Sequence, residues 1–405
     1  MTKRRPDPAS ELPCFPVARP DSRPLDPDET YARLRAHAPV SPVRCPAGMD
    51  ALLVSRYEDI RAVLADPRLS SRGAGSMHML PSYDRRDPPP GSMIQLDGEE
   101  HARLRRLLIG EFTVRRVEAL RPSVQRITDR RIDAMLAGSS ADLVRDFALP
   151  MSSLVICELL GVPYDDHEAF QRDSEVLIGF EADEATRDAA TRRLEGYLGE
   201  LITRRLAEPQ DDLLSRLIVR GQESERPPTV PELATLGVLL LVAGHETTAS
   251  MITLSALVLT ADPDRTAALR AAPETIGTAV EELLRYLSVI QFGLLRYATE
   301  DVTVGGTPVA AGSWLVAAIP SGNRDEGVFP APDTVDLRRP SRAHLAFGFG
   351  PHQCIGQQLA RMELRVALTT LLRRLPGLRP AEPLAPSAFK HNDIVFGLRS
   401  MPVTW

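Results

Sequence analysis

Three observations predict a mainly α-helical fold with small peripheral sheets. From Glu99 to about Leu206, apolar residues recur at three- and four-residue intervals with Arg and Glu between them, as amphipathic helices require. The same pattern resumes in three later segments, 229–260, 264–271 and 276–286. Only around Val302–Ile319 do short β-type runs return, with Gly305–Gly306 as a turn.

Shorter elements are expected before the helical half. A first helix is expected at Asp28–His37, a small hairpin at Val40–Arg44 and Ala51–Ser55, and a second helix at Glu58–Ala65. Between Ser70 and Asp97 the chain is rich in Gly, Pro, Ser and Met, which is typical of a long functional loop.

Length and composition favour one domain. A chain of 405 residues with 43% hydrophobic content can bury a large core, and it contains no internal repeat or low-complexity linker. We expect a variable segment at 1–30, rich in Pro and charge and wrapped loosely over the surface. A single domain is expected to follow at 31–405.

Charge and hydropathy exclude two classes of partner. A formal charge of −6 gives no broad positive field for nucleic acid. The basic N-terminal residues precede no apolar run, so neither a signal peptide nor a membrane anchor is expected. Leu236–Gly244 and Met251–Ala261 are split by His245 and Glu246 and fall short of the ~20 residues of a spanning helix. They predict a buried helix in a cytoplasmic protein.

One of the four cysteines has an unusual setting. Cys14, Cys45 and Cys157 are interpreted as small buried apolar residues, and no CxxC pair indicates zinc or a disulfide framework. Cys354 lies in the loop FGFGPHQCIG before a helical run at Gln357–Leu372. Positive φ at Gly350 and Gly356 would let backbone N–H groups approach the sulfur, and the helix N-terminus favours a thiolate. A shielded thiolate suits an iron ligand.

A polar motif interrupts the apolar helix at Ala243–Thr248, AGHETT. Buried acid and hydroxyl groups are costly without a function. The structural alternative is a Thr bonded back to its own helix and a Glu in a salt bridge. HETTA also looks like the zinc motif HExxH, but Ala249 stands where the second His is needed, so zinc is excluded.

Taken together, these motifs resemble the cytochrome P450 family from about Tyr31 to Trp405. The family signature FxxGxHxCxG is matched by Phe347, Gly350, His352, Cys354 and Gly356, and AGxET is matched at 243–247. An ExxR motif follows at Glu282 and Arg285, with Arg339 as the arginine to which it locks. The resemblance implies the cytochrome P450 fold and haem b with Cys354 as the axial iron ligand.

The same resemblance implies roles for further residues. Ala243 and Gly244 would leave room for dioxygen, while Glu246 and Thr247 would hold water and relay protons. Glu282, Arg285 and Arg339 would hold the scaffold of the cysteine loop. Other residues would bind the cofactor, four of them at its propionates and three in the loop: His101, Arg105, Arg296 and His352, and Phe347, Gly348 and Gly356. His344, just before the signature, is a further candidate, with simple packing as the alternative.

An apolar substrate pocket is implied at several segments, including Phe170–Ala185 and Lys390–Phe396. Its expected lining residues are Met77, Met79, Met93, Ile94, Leu240, Val289, Ile290, Phe292, Leu294, Leu295, Ile394 and Val395. Such a wall suits a bulky hydrophobic molecule. The C-terminal segment resembles actinomycete enzymes that tailor macrolides and polyketides, which implies hydroxylation or epoxidation in antibiotic biosynthesis. The alternatives are a broad-specificity xenobiotic-oxidising P450, a peroxide-driven haem enzyme on the same fold, and a haem protein that only binds a ligand or senses gas.

Electrons must come from other proteins. The sequence has no flavin or nicotinamide fingerprint and no iron–sulfur cysteine set, so a ferredoxin and an NAD(P)H-dependent ferredoxin reductase are expected partners, with O2 as co-substrate. The default interpretation of a further set of arginines is a solvated face, and the alternative is a docking surface for an acidic ferredoxin: Arg103, Arg106, Arg115, Arg116, Arg361 and Arg365. A monomer is expected.

Overall fold

The computed structural model describes residues 13–45, 48–72, 88–163, 166–178, 182–391 and 393–405. Within these ranges, helices make up most of the regular secondary structure. The helices are α1 Glu29–His37, α2 Tyr57–Ala65, α3 Gly98–Ile109, α4 Val114–Leu136, α5 Leu149–Leu160, α6 His167–Ile178, α7 Glu184–Ala207, α8 Leu213–Gln222, α9 Val230–Thr260, α10 Pro263–Ala271, α11 Ile276–Leu287, α12 Ile319–Gly322 and α13 Gln357–Arg374. The predicted mainly α-helical fold with small sheets is confirmed.

Short strands form three small sheets. The strands are β1 Val40–Arg44, β2 Asp50–Val54, β3 Leu69–Ser70, β4 Ser140–Asp142, β5 Leu294–Ala298, β6 Val302–Val304, β7 Thr307–Val309, β8 Trp314–Ala317, β9 Arg379–Pro380 and β10 Pro402–Thr404. The largest sheet has the order β1-β2-β8-β5-β3. In the predicted hairpin, Val40 pairs with Val54 and Arg44 with Asp50. A second sheet has the order β4-β10-β9, and β6 pairs with β7.

The N-terminal segment is held more firmly than predicted. From residue 13 it runs beside β1, and the Phe15 amide donates to the Arg44 carbonyl at 2.9 Å. Phe15 is fully buried in a cluster with Tyr31, and Arg19 is also buried. The expectation of a loose surface wrap was wrong at Phe15 and Arg19, because both side chains are buried against the rest of the fold. In the Ser70–Asp97 loop, Met77 and Met79 lie outside the described residues.

The long helix α9 runs through the core and carries the polar motif. It begins with a capping box, in which the Thr229 side chain accepts from the Glu232 amide and the Glu232 carboxylate accepts from the Thr229 amide. It packs against α5, α7 and α13. Among the described helices α9 alone has the length and composition to cross a membrane, but 61% of its most apolar window is buried inside the fold.

Candidate active site

The cysteine loop is shaped by glycines, though not entirely the expected ones. The Cys354 amide donates to the Phe347 carbonyl at 2.9 Å. Gly348 and Gly350 have φ of +68° and +74°, and a Cβ on Gly350 would lie 2.6 Å from the Leu64 carbonyl oxygen. Gly356 has φ −80° instead, so the predicted positive φ there was wrong. It caps α13, and a Cβ on it would lie 4.0 Å from Cys354 Sγ.

The electrostatics of Cys354 differ from the expectation. As a whole residue, Cys354 is exposed. Its sulfur, however, is surrounded by protein, and this burial raises the pKa of the thiol. Hydrogen bonds from the backbone at Gly356 and Gln357, and the charges of Arg105 and Arg361, oppose this rise without reversing it. A bound iron cation would add positive charge that stabilises the expected thiolate.

The other cysteines are in different surroundings. Burial raises the pKa of Cys45 to about 11 and that of Cys157 to about 12, which suits inert thiols. Cys14 is exposed, so its interpretation as a buried residue was wrong. It lies beside Arg44 at the edge of the sheet.

Two small residues in the middle of α9 have different reasons for being small. Ala243 is exposed although the helix around it is largely buried, so space lies beside its methyl group. A Cβ on Gly244 would lie 2.6 Å from Ile156 Cδ1 on α5. Close packing of α9 on α5 therefore requires the glycine, whereas Ala243 is the more exposed of the two.

Glu246 and Thr247 both make the contacts that the structural alternative describes. Thr247 Oγ1 donates to the Ala243 carbonyl at 2.7 Å. Glu246 is 3% exposed and forms an ion pair with Lys390. The sequence reading missed this partner, although Lys390 is one of only two lysines in the chain. The neighbouring His245 is fully buried, and burial lowers its pKa to about 4, so it is neutral near pH 7.

The four residues expected at the haem propionates form one cluster. The rings of His101 and His352 lie 4.1 Å apart, and His352 Nε2 lies 3.5 Å from an oxygen of Asp97. Arg105 donates to the Gln353 carbonyl at 2.8 Å, next to Cys354. Burial lowers the pKa of His101 to about 4, and the nearby charges of His352, Arg105 and Arg296 act in the same direction.

Asp97 was not expected in this cluster, and no local sequence signal identifies it. Burial alone would raise the pKa of Asp97, but hydrogen bonds from His352 and Ser70 outweigh burial and hold its pKa well below the usual range. Asp97 therefore stays ionised and is the carboxylate that balances part of the positive charge.

The donor set of this cluster fits a group with two carboxylates. His101 Nε2 is buried and has no hydrogen-bond partner among the described residues. Arg296 is 5% exposed, and within the same ranges its guanidinium donates to the Leu295 carbonyl and to no carboxylate. Buried donors of this kind are costly unless they are paired. The two haem propionates would supply the missing acceptors.

The predicted structural lock is assembled around a fully buried ion pair. Arg285 Nε and Nη2 each lie 2.8 Å from a Glu282 oxygen, and Arg339 Nε lies 3.1 Å from Glu282 Oε1. Ser341 also donates to this carboxylate. The backbone carbonyl of Thr334 accepts from both arginines, at 3.3 Å each.

A second buried network lies beside the lock. His344 Nε2 lies 3.2 Å from Glu281 Oε2, and Arg361 Nε lies 2.7 Å from Glu281 Oε1. Burial alone would raise the pKa of Glu281, but the hydrogen bonds from His344 and Arg361 lower it to about 2. Of the two alternatives for His344, simple packing is therefore not sufficient, because its ring contacts the Glu281 carboxylate. Because Glu281 holds Arg361 in this network, with 13% of its side chain exposed, Arg361 is not a surface docking residue.

The expected substrate walls meet through backbone contacts. Ile290 and Val395 form an isolated antiparallel bridge, and the Phe396 amide donates to the Val289 carbonyl at 2.7 Å. Leu294 reaches the cysteine loop, since a Cβ on Gly348 would lie 3.3 Å from Leu294 Cδ1.

The remaining predicted pocket residues divide into three groups. Met93 and Leu240 are buried in the same core cluster as Val289 and Val395, and Ile394 is partly buried against it. Ile94 is 50% exposed. Phe292 and Leu295 join the Phe15 cluster instead, because the N-terminal segment covers that side of the strand. Part of the predicted Phe170–Ala185 segment lies outside the described residues.

Comparison with known proteins identifies the family. The sequence profile of the family "Cytochrome P450" matches residues 178–382. Cytochrome P450-SU2 of Streptomyces griseolus is 44% identical over 400 residues, covering 96% of each chain. The 20-oxo-5-O-mycaminosyltylactone 23-monooxygenase of Streptomyces fradiae is 42% identical over 393 residues, covering 96% of this chain and 92% of that protein.

A solved structure agrees with these sequence relatives. The crystal structure of CYP105P1 in complex with filipin I matches with a TM-score of 0.91 and 42% identity, covering 98% of this chain and 99% of that one. The chain therefore belongs to the cytochrome P450 family, as an oxygen-incorporating oxidoreductase that binds haem b through a cysteine thiolate.

Proposed function

We propose that this P450 monooxygenase of the CYP105 type hydroxylates or epoxidises a bulky hydrophobic natural product, a macrolide or other polyketide, in antibiotic biosynthesis. The observation that carries this proposal is the joining of two distant apolar segments through Ile290 and Val395, next to the contact of Leu294 with the cysteine loop. A wall built in this way offers a broad apolar surface to a large substrate. The similarity to a macrolide monooxygenase of Streptomyces fradiae supports the same substrate class.

Cofactor binding is assigned to the two clusters around the cysteine loop. Cys354 would provide the axial sulfur, held by the loop that contains Phe347, Gly348 and Gly356. His101, Arg105, Arg296 and His352 would hold the propionates. When bound, haem supplies the redox chemistry that activates dioxygen.

Proton supply is assigned to the middle of α9. The Glu246 carboxylate would take up protons and pass them toward Thr247 Oγ1, which must turn away from the Ala243 carbonyl to donate elsewhere. Ala243 would leave room for dioxygen, because space lies beside its methyl group. Glu282, Arg285 and Arg339 would act only as structural support.

The electrons would come from a ferredoxin and an NAD(P)H-dependent ferredoxin reductase, in the cytoplasm, with the enzyme acting as a monomer. The candidate docking arginines differ in exposure. Arg103 is 12% exposed and pairs with Glu232, so it does not face a partner. Arg115 and Arg116 are exposed in the first turn of α4.

A spectral and turnover experiment tests the proposed function. The purified holoenzyme is titrated with 20-oxo-5-O-mycaminosyltylactone, filipin I and, as a xenobiotic control, 7-ethoxycoumarin. We expect a low- to high-spin shift with a macrolide and an oxygenated product with ferredoxin, reductase and NADPH. A stronger shift and turnover with 7-ethoxycoumarin would favour the xenobiotic alternative. Product formation with hydrogen peroxide alone, and none with the electron-transfer proteins, would contradict the monooxygenase assignment.

A further inference from the structure

A single ammonium group reaches the buried acid of α9. Lys390 Nζ forms an ion pair with Glu246 Oε1, and the two side chains are 15% and 4% exposed. The pair joins positions 144 residues apart. The chain has 48 basic side chains other than His, and all except Lys3 and Lys390 are arginines. A lysine here places a single point charge on a flexible stem, whereas arginine would form a planar, two-pronged contact.

The other charged groups near this pair do not compete for the carboxylate. On α9 itself, His245 is neutral near pH 7 because burial lowers its pKa to about 4, and its Nδ1 lies 3.2 Å from Ser174 Oγ on α6. On the C-terminal turn, His391 Nε2 lies 3.2 Å from the Pro386 carbonyl. Asp393 accepts from Gln291 through its backbone carbonyl. Lys390 is therefore the cation that faces Glu246.

Lys390 is tied to the walls of the substrate pocket. Gln291 Nε2 donates to the carbonyl of Lys390 at 3.0 Å and to the carbonyl of His391 at 3.1 Å. The Lys390 amide donates to the Gly397 carbonyl at 2.9 Å. The chain continues after His391 to Ile394 and Val395. Val395 pairs with Ile290 on the opposite wall. These contacts connect the backbone that carries the ammonium group to the residues of the predicted substrate walls.

We propose that Lys390 is a positioning residue that holds the Glu246 carboxylate in an ion pair until substrate displaces the backbone at Lys390 and His391. Release of the carboxylate would then let Glu246 carry protons toward Thr247, so that proton supply waits for substrate. The proposal rests on the proposed monooxygenase function, but the ion pair itself is tested without turnover.

The first test measures the chemical reactivity of Lys390 in the holoenzyme. Amines are acetylated with sulfosuccinimidyl acetate, and the rates at Lys390 and Lys3 are measured by peptide mass spectrometry. In Glu246→Gln we expect Lys390 to react about tenfold faster, because an ion pair worth ~1.4 kcal/mol no longer restrains it. Thr247→Val, on the same helical turn, is the matched control and should react like the wild type.

The same measurement tests the link to the substrate space. 4-Phenylimidazole ligates ferric haem iron and fills the space in front of it, and we expect it to increase acetylation at Lys390 but not at Lys3. Equal rates at Lys390 in the wild type and Glu246→Gln would overturn the ion pair. An unchanged rate with 4-phenylimidazole would overturn the coupling to the substrate walls.

The second test measures electron leakage without substrate. Reduction of dioxygen by NADPH follows NADPH + H⁺ + O2 → NADP⁺ + H2O2, and its proton demand would be met by a released Glu246. With ferredoxin and reductase, Lys390→Met should consume NADPH several-fold faster than the wild type and yield matching H2O2. Lys390→Arg keeps the charge and should stay close to the wild type, and Lys3→Met is the control for loss of a lysine.

The outcomes separate this inference from the proposed function. If Lys390→Met keeps the thiolate absorption band but leaks no more than the wild type, the positioning role is wrong. If Lys390→Met does not bind haem, the acetylation rates at Lys390 in the wild type and in Glu246→Gln decide whether the ion pair restrains the lysine. If no oxidant yields product with any substrate, the proposed function fails, while the acetylation result still stands.

Discussion

The surroundings of Cys354 differ from those of the other described cysteines. Its amide donates to the Phe347 carbonyl, and the backbone at Gly356 and Gln357 donates to its sulfur. Arg105 and Arg361 contribute positive charge. Burial still raises the pKa of its thiol. A bound iron cation would add positive charge beside the sulfur and so stabilise a thiolate.

Replacing Cys354 tests this assignment directly. In Cys354→Ser the reduced, carbon-monoxide-bound protein should lose the strongly red-shifted absorption band of thiolate ligation, because a serine hydroxyl cannot provide the sulfur ligand. The exposed Cys14 offers a matched control, and Cys14→Ser should keep the band. Persistence of the band in Cys354→Ser would show that another residue holds the iron.

Site residues could be predicted where several lie in one motif. Glu282 and Arg285 are three positions apart on one helix, and the family resemblance supplied Arg339 as their partner. Asp97 and Lys390 were missed because each reaches its partner across the fold, without a local pattern. The lysine did leave a weak signal, since it is nearly alone among arginines.

At the scale of elements, α11 and α13 are joined by a buried carboxylate. Glu281 on α11 binds Arg361 on α13 and His344 on the segment between them, and its pKa falls to about 2. The pKa of Glu281 is lower in the folded protein than its ordinary value of 4.5. The ionised carboxylate therefore stabilises the fold at pH values above about 4.5. This contribution is lost as the pH falls from about 4.5 toward about 2.

Glu281→Gln should therefore lower the free energy of unfolding by roughly 3 kcal/mol at pH 7, because it removes the charge that pairs with Arg361. Denaturant unfolding of wild type and variant should give curves whose difference shrinks below pH 4.5. Glu326→Gln is the control, since Glu326 is 60% exposed beside Arg35 and should cost less than about 1 kcal/mol. A difference that grows on acidification would contradict this assignment of charge.

Helices could be predicted better than sheets, for a physical reason. Apolar periodicity and caps are local, so the expected 229–260 and 276–286 agree closely with α9 and α11. Strands such as β4 and β10 have three residues each and pair across more than 250 positions, which leaves no local signal. Gly356 was misjudged because a residue that caps a helix in this way does not need positive φ.

Over the whole molecule, the expected docking arginines have different environments. Arg103 and Arg361 are held inside ion pairs, and Arg106 pairs with Glu99 at the surface. Arg115 and Arg116 are exposed in the first turn of α4. The exposed apolar side chains of Ile109, at the end of α3, and Val114, the first residue of α4, precede them in the chain, with 54% and 60% of their surface exposed. Exposed charge beside apolar surface is typical of a transient protein interface.

The first turn of α4, which carries Arg115 and Arg116, follows closely after α3, the helix whose Arg105 contacts the cysteine loop through Gln353. An acidic ferredoxin docked there would deliver electrons on the Cys354 side of the molecule. The double variant Arg115→Glu, Arg116→Glu should therefore raise the KM for ferredoxin about tenfold at low ionic strength, and the difference should shrink as salt screens the charges.

Steady-state NADPH oxidation at varied ferredoxin and salt concentrations measures this effect. Arg192→Glu, an exposed arginine on α7, removes the same kind of charge from a helix that packs on α9 and should leave the KM unchanged. If both variants raise the KM equally, net charge rather than a local surface governs the encounter. If neither does, the ferredoxin docks elsewhere.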